Sequence, residues 1–272
     1  MIQDITPHIF DNTYIDEPPR LHDVCLIFRD NAVYVHKQGG AIEFLTYGMV
    51  SSKPNKVTYF FTIDDTRYYL TECDISRYGY RFYPVRELRY AQPKDAVFAI
   101  MTAYHLLTWY SNNRFCGRCG AEMTHDADMR ALNCSCGNQV FPRISPAVIV
   151  AVVNDDKLLL TKYRGRAYKN YALVAGFAEI GETLEDTVRR EVMEETGLSV
   201  TRIRYYKSQP WGVDSNLLVG FFARLEGSDE ILIEEDELSE AGWFRRDEIE
   251  MTSDGVSLTS EMIQAFRDGY TG

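Results

Sequence analysis

This 272-residue sequence predicts a mixed α/β fold in three consecutive parts. Three observations predict it. Residues 1 to about 90 break into short β-type runs separated by turn residues. Four cysteines crowd into residues 116–136, and a nearly continuous apolar run from Pro146 is followed by a glutamate-rich amphipathic helix. The length leaves room for two ordinary domains, or one domain with a smaller appendage. A composition of 45% hydrophobic, 25% charged and 13% aromatic residues suits a globular chain and excludes wholesale disorder or a fibrous repeat.

The first part, residues 1–112, reads as a β-rich domain ending in a helix. Strands are expected at Val24–Phe28, Ala32–His36, Ile42–Leu45, Val57–Ile63 and Tyr68–Leu70, divided by turn signals such as Asp30-Asn31 and Gly39-Gly40. Pro93 and Asp95 open the helix, in which Val97, Ile100, Met101, Tyr104 and Leu107 recur at i, i+3, i+4 spacing; it stops near Asn112-Asn113. His105 lies within it as a structural residue. The third part, residues 144–272, begins with the strand Pro146–Val153, whose unbroken apolar character suits a sheet covered on both faces. A strand at Lys157–Thr161, a helix over 183–197, a strand at Leu217–Leu225 and a helix at Leu258–Phe266 complete it.

Net charge is −11, and from Ala147 onward 14 Lys and Arg face 24 Asp and Glu. An acidic surface repels phosphate backbones, which argues against general nucleic-acid binding. A phosphate-bearing ligand would need a divalent cation between itself and those carboxylates. No apolar run approaches the ~18–20 residues that span a bilayer, so no membrane contact is expected. Residues 1–14 show no basic segment followed by an apolar one, so a signal peptide is not expected and a cytoplasmic setting is.

Between the two larger parts, Phe115-Cys116-Gly-Arg-Cys119-Gly120 forms a knuckle, with glycine freeing the backbone to point both sulfurs inward. Cys134-Ser-Cys136-Gly137 follows after fourteen residues. In an intracellular chain such a cluster reads as a metal site before it reads as disulfides. Four thiolates from two turns supply the closed tetrahedral shell of a structural zinc. The second pair is C-x-C, one residue short of the usual C-x-x-C. Zinc held by three cysteines and another ligand, or free thiols, are the alternatives. Cys25 and Cys73 stand apart and read as buried thiols.

The stretch Gly176–Leu198, GFAEIGETLEDTVRREVMEETGL, has two halves. Gly176–Thr183 is laid out like a phosphate-cradling loop with Glu182 where lysine belongs. A carboxylate there holds a metal, not a phosphate. From Leu184 the pattern is helical: Leu184, Val188 and Val192 form an apolar stripe, while Glu191 and Glu195 are i, i+4 and Glu194 is three residues from Glu191. Carboxylates so close need neutralising. Arg190, four residues before Glu194, can reach Glu182, and a hard cation such as Mg²⁺ can neutralise the rest. The bland alternative, a solvated charge-laced helix, leaves the glycine-rich entry unexplained. All five histidines precede residue 126, no cysteine follows residue 136, and no G-x-S-x-G occurs. Metal-activated water with a carboxylate base is the chemistry left open.

At every specified position, Gly176–Leu198 resembles the Nudix box, G-x5-E-x7-R-E-U-x-E-E-x-G-U with U aliphatic. The Phe115-Cys-Gly-x-Cys-Gly knuckle, the run Phe141-Pro-Arg-Ile-Ser-Pro-Ala-Val-Ile149 and the motif Ser208-Gln-Pro-Trp211 further resemble the NADH pyrophosphatase (NAD⁺ diphosphatase) subfamily. The likeness covers roughly residues 90–270, and more loosely the β-rich part. It implies a Nudix α/β/α sandwich with a mixed sheet over residues 144–272, a zinc ribbon over 113–143 and the β-rich domain over 1–112. It also implies hydrolysis of NAD(H) to nicotinamide mononucleotide and AMP, NAD-capped RNA as a further substrate, and a homodimer. By the same likeness, Glu191, Glu195, the Ala175 carbonyl and Glu237 ligate the catalytic Mg²⁺ or Mn²⁺. Glu194 is a base or an additional ligand, and Arg190 and Glu182 orient the set. Cys116, Cys119, Cys134 and Cys136 hold zinc. Phe141 and Phe177 sandwich the nicotinamide or adenine ring, while Gln209, Trp211, Asn216 and Thr259 lie in stretches that touch or close over the substrate. Arg86 sits where the family contacts substrate.

One segment departs from the subfamily. Its motif is S-Q-P-W-P-F-P-x-S, whereas this chain reads Ser208-Gln209-Pro210-Trp211-Gly212-Val213-Asp214-Ser215-Asn216. Two prolines that stiffen the loop are gone, and Gly212 is expected to loosen it. The chemistry survives that change, while substrate preference is open to it. The alternatives are a Nudix hydrolase preferring ADP-ribose, FAD or a dinucleoside polyphosphate, and an inactive nucleotide-sensing regulator on the same fold.

Overall fold

In the computed structural model of the chain, which describes every residue except 16, 51–53, 55, 74, 166–170, 235–237 and 251–252, the apolar run at 146–153 is the centre of a six-stranded sheet. This strand, β1 (Ser145–Asn154), pairs antiparallel with β2 (Lys157–Tyr163) and with β3 (Val174–Phe177), Ala147 facing Phe177 and Val150 facing Val174. The remaining strands are β4 (Ser199–Trp211), β5 (Asn216–Glu226) and β6 (Leu238–Arg245). The order is β4-β5-β1-β2-β6, with β3 beside β1, β5 parallel to β1 and β6 antiparallel to β2.

Both faces of this sheet are covered, which is why the central strand needs no polar side. Ile149, Ala151 and Val153, with Leu158, Leu160 and Phe222, pack under α3 (Leu258–Arg267) through Leu258, Met262, Ile263 and Phe266. Val148, Val150 and Val152, with Leu159 and Phe221, pack under α2 (Leu184–Thr196) through Val188 and Val192. Each of these Val, Leu, Ile, Met and Phe side chains taken fully out of water contributes about 1.5–3 kcal/mol. α2 begins at Thr183, whose hydroxyl accepts the Asp186 N–H at 3.1 Å, and ends at Gly197. α3 begins at Ser257 in the same way. The expected α/β class with a mixed sheet is therefore what the chain adopts.

Contacts divide the chain into two units: residues 145–210 and 216–272 with Met1, just described, and residues 2–144 with 211–215. In the second unit a five-stranded sheet runs in the order Phe10–Asp11, Lys56–Ile63, Thr66–Glu72, Val24–Leu26, Leu45–Thr46. A four-stranded sheet is built around Ala32–Gln38, with Phe28–Arg29, Ala41–Glu43 and Tyr80–Pro84. The helix α1 (Lys94–Asn112) buries Val97, Ile100 and Met101 along the expected stripe. A three-stranded ribbon of Thr124–His125, Leu132–Asn133 and Gln139–Val140 follows it. Among the described residues no helix is long and apolar enough to cross a membrane.

Candidate active site and cysteine centre

The glutamates of α2 stand over the end of β3 because Gly176 lets them. A Cβ built on Gly176 would fall 1.9 Å from Glu191 Cδ and about as close to both carboxylate oxygens. Only glycine at this position leaves the Glu191 carboxyl room to lie against the strand.

Arg190 gathers the surrounding charge. Its Nε donates to Glu182 Oε1 at 2.6 Å and its Nη2 to Glu182 Oε2 at 3.0 Å. Nη1 donates to Glu191 Oε1 at 2.8 Å and to Glu194 Oε2 at 2.9 Å, and Nη2 also reaches the Phe177 carbonyl at 2.9 Å. One guanidinium thus ties the loop after β3 to two turns of α2. Glu182 also accepts from the Glu179 N–H at 3.1 Å and the Thr187 hydroxyl at 3.0 Å. Arg190 foremost, then the Glu179 N–H, holds the Glu182 carboxyl down at about 2. The Glu191 side chain is 12% exposed and that of Glu194 is 53% exposed.

Glu195, one residue on, is 1% exposed. Its Oε1 lies 3.3 Å from the hydroxyl of Tyr163, at the end of β2. The same hydroxyl accepts the Ala175 N–H at 3.1 Å. Sequence reading missed Tyr163. Its nearest signal is period two, since Leu159, Thr161 and Tyr163 share one face of β2, but which groups that face meets is set by the tertiary fold.

Residues 143–266 match the family described as the NUDIX domain. The chain carries a NUDIX domain. It is similar to the NAD-capped RNA hydrolase NudC of Shigella flexneri, 38% identical over 160 residues, which are 58% of this chain and 62% of that protein. The NAD-capped RNA hydrolase NudC of Escherichia coli (strain SMS-3-5 / SECEC) matches with the same identity and coverage, so the match spans under two thirds of these relatives' length. A NUDIX hydrolase crystal structure from Nitrosomonas europaea superposes with a TM-score of 0.48 at 23% identity, covering 57% of this chain and 90% of that one.

Within the NUDIX domain the donor chemistry suits a hard divalent cation: carboxylates of Glu191, Glu194 and Glu195 and the carbonyl of Ala175 offer only oxygen. The side of Gly176 that a Cβ would fill is taken by the Glu191 carboxylate. The glutamate oxygens are not drawn to one point, and Arg190 holds two of the three residues. Mg²⁺ does not require such convergence, because it takes one or two carboxylates and completes its shell with water and substrate oxygens. Glu237 lies outside the described residues.

The other singled-out residues are placed as follows. Phe177 presents a ring that is 52% exposed. Gln209 is fully buried: its Nε2 donates to the Val256 carbonyl at 2.8 Å and its Oε1 accepts the Leu258 N–H at 2.8 Å, holding the entry to α3, where Thr259 sits. Asn216 is also buried, at the start of β5. In the other unit Phe141 is 54% exposed. There Trp211 Nε1 donates to Asp214 Oδ2 at 3.0 Å, and Asp214 Oδ1 is ion-paired with Arg86. Gly212 does not loosen this segment. A Cβ on it would fall 2.1 Å from the Met101 carbonyl oxygen of α1, so its glycine serves close packing.

The four clustered cysteines bring their sulfurs within 4.8 Å of one another. Cys116 and Cys136 Sγ are 3.8 Å apart, and Cys119 and Cys134 Sγ 3.4 Å. Tetrahedral zinc with Zn–S bonds near 2.3 Å has sulfur–sulfur edges of about 3.8 Å. The short C-x-C turn therefore still delivers two sulfurs to a common centre. The Arg118 N–H and the Asn138 amide, each 3.4 Å from Cys116 Sγ, favour its thiolate, and the Cys116 pKa lies at about 6. Among the described residues this is the one group of three or more metal-type donors that converge.

Proposed function

We propose that this chain hydrolyses the pyrophosphate bond of NAD(H), giving nicotinamide mononucleotide and AMP, and cleaves the same bond at NAD-capped RNA 5′ ends. The observation that supports it is the Arg190-centred carboxylate set over the Ala175–Gly176 edge. It lies in a NUDIX domain whose relatives are named for NAD-capped RNA.

Mg²⁺ or Mn²⁺, when bound, supplies Lewis-acid polarisation of phosphate oxygens and a more acidic water. Glu191, Glu195, the Ala175 carbonyl and Glu237 are the residues that would hold it. Glu194, exposed and anchored through one oxygen to Arg190, takes the proton of the attacking water. Arg190 and Glu182 keep these carboxylates in register. Phe141 and Phe177 offer exposed rings for stacking a nicotinamide or adenine base. Trp211, Asn216 and Thr259 lie in substrate-contacting segments, and Gln209 braces the entry to the helix that carries Thr259. Zinc at Cys116, Cys119, Cys134 and Cys136 staples a ribbon over 113–143, between a β-rich domain (1–112) and the NUDIX hydrolase domain (144–272). The working form is a cytoplasmic homodimer.

A second reading, preference for ADP-ribose, FAD or a dinucleoside polyphosphate, is favoured by Gly212-Val213-Asp214, where Asp214 engages both Trp211 and Arg86. Hydrolysis of NADH, NAD⁺, ADP-ribose, FAD and diadenosine polyphosphates with Mg²⁺ or Mn²⁺, products separated by chromatography, decides between them. NADH or NAD⁺ converted fastest to the mononucleotide and AMP supports the first reading, and faster turnover of another compound supports the second. No turnover of any would point to a nucleotide-sensing protein.

A further inference from the structure

Leu159, Thr161 and Tyr163 lie on the face of β2 that turns toward α2; Leu159 packs with Val188 and Val192, and Thr161 is fully buried. At Tyr163 the register with β6 slips, Lys162 facing Glu240 and Tyr163 facing Leu238. The extra residue, Ser239, lies on β6, so Tyr163 keeps the face of Leu159 and Thr161. The phenol oxygen lands among four groups. It accepts the Ala175 N–H at 3.1 Å, and it stands 3.3 Å from Glu195 Oε1, 3.4 Å from the Leu173 carbonyl and 3.5 Å from the Ala175 carbonyl.

A hydroxyl has one proton to give and two lone pairs to offer. With the Ala175 N–H accepted, the proton has these three oxygens within reach, and a carboxylate is the strongest acceptor of them. We propose that Tyr163 is a positioning residue for the cation site: its hydroxyl joins the backbone of Ala175 to the carboxylate of Glu195. That joint sets the spacing of two oxygen donors, one on β3 and one on α2, which no covalent neighbour fixes. The proposal rests on reading the Ala175 carbonyl and Glu195 as cation ligands.

The test is Mn²⁺ affinity of the full chain without nucleotide, by electron paramagnetic resonance of free Mn²⁺. Wild type is compared with Tyr163→Phe, Glu195→Gln and the control Thr161→Val, each checked for folding by circular dichroism. Tyr163→Phe is expected to weaken Mn²⁺ binding about tenfold, the lower end of what loss of a ligand's outer partner costs. Thr161→Val is expected to leave it unchanged. Turnover by Tyr163→Phe is expected to recover as Mn²⁺ is raised, with KM for the dinucleotide at saturating Mn²⁺ equal to wild type. Wild-type Mn²⁺ affinity in Tyr163→Phe, whatever its melting temperature, overturns the proposal while leaving the ligand reading intact. Wild-type affinity in Glu195→Gln overturns the ligand reading itself, and this inference with it.

Discussion

Arg190 and Glu182 meet fork to fork, Nε to Oε1 at 2.6 Å and Nη2 to Oε2 at 3.0 Å, across eight residues of sequence. The pairing holds the Glu182 carboxyl at about 2, below its ordinary 4.5. A carboxyl with a lowered pKa in the folded state stabilises the fold fully above its unfolded value, and the contribution fades as pH falls toward the folded value. The melting-temperature difference between wild type and Glu182→Gln is therefore expected to be flat above about pH 5.5 and to shrink between about pH 4.5 and 2. A difference unchanged over that acid range would exclude the ionised pair as its source.

Arg190→Lys keeps the charge and loses the fork. An ammonium cannot lie in the plane of Glu182 while also serving Glu191, Glu194 and the Phe177 carbonyl. Misplacing a reacting group by about 1 Å is enough to cost roughly 10²-fold in rate, and these carboxylates are the proposed catalytic groups. Arg190→Lys is expected to lower kcat by about that factor with KM little changed, as read from initial rates on NADH at saturating Mn²⁺.

The helix and its approach were legible because one continuous segment carries them: Gly176, Glu182, Arg190 and the three glutamates are fixed relative to each other by a turn and a helical period. The central strand was legible because both of its faces are covered, leaving an unbroken apolar run. β4 and β6 were not read. Arg202, Arg204 and Lys207 on β4 break the apolar pattern, as charged residues do on a sheet edge, and β6, the opposite edge, buries only Leu238 fully. Tyr163 and Gln209 could not have been read with their partners, since each acts on a segment brought near by the fold. Gly212 was read for looseness because sequence shows the missing side chain and not the Met101 carbonyl that fills its place.

The cysteine centre predicts a metal content. One zinc per chain is expected by atomic emission, and Cys119→Ser is expected to lose it, because a structural zinc lends its binding energy directly to folding. Melting of Cys119→Ser should begin at lower temperature than wild type, while the NUDIX unit keeps its helical circular dichroism signal. A metal-free wild type with an unshifted Cys119→Ser melt would assign the four thiols no metal role.

Gly212→Ala is expected to destabilise the unit of residues 2–144 and 211–215 by about 1–3 kcal/mol, the usual cost of forcing atoms into a filled space. The new Cβ would meet the Met101 carbonyl oxygen 2.1 Å away. Gly212→Pro, which restores the residue of the subfamily motif, carries the same Cβ and is expected to lower the melting temperature as well. A stabilising effect of either change would mean that the backbone of residues 211–215 stands clear of α1.

Gly176→Ala separates chemistry from folding. The added methyl would overlap the Glu191 carboxyl, with 1.9 Å to Cδ and 2.0 Å to Oε1. Glu191 is partly exposed and can swing outward, so the helix need not leave the sheet. Swinging it out breaks its bond to Arg190 and removes one oxygen donor from the proposed cation site. The expected result is a melting temperature close to wild type, Mn²⁺ binding weakened at least tenfold, and kcat lowered by about 10²-fold. A variant that keeps full Mn²⁺ affinity would show that Glu191 does not bind the cation from the place it occupies over Gly176.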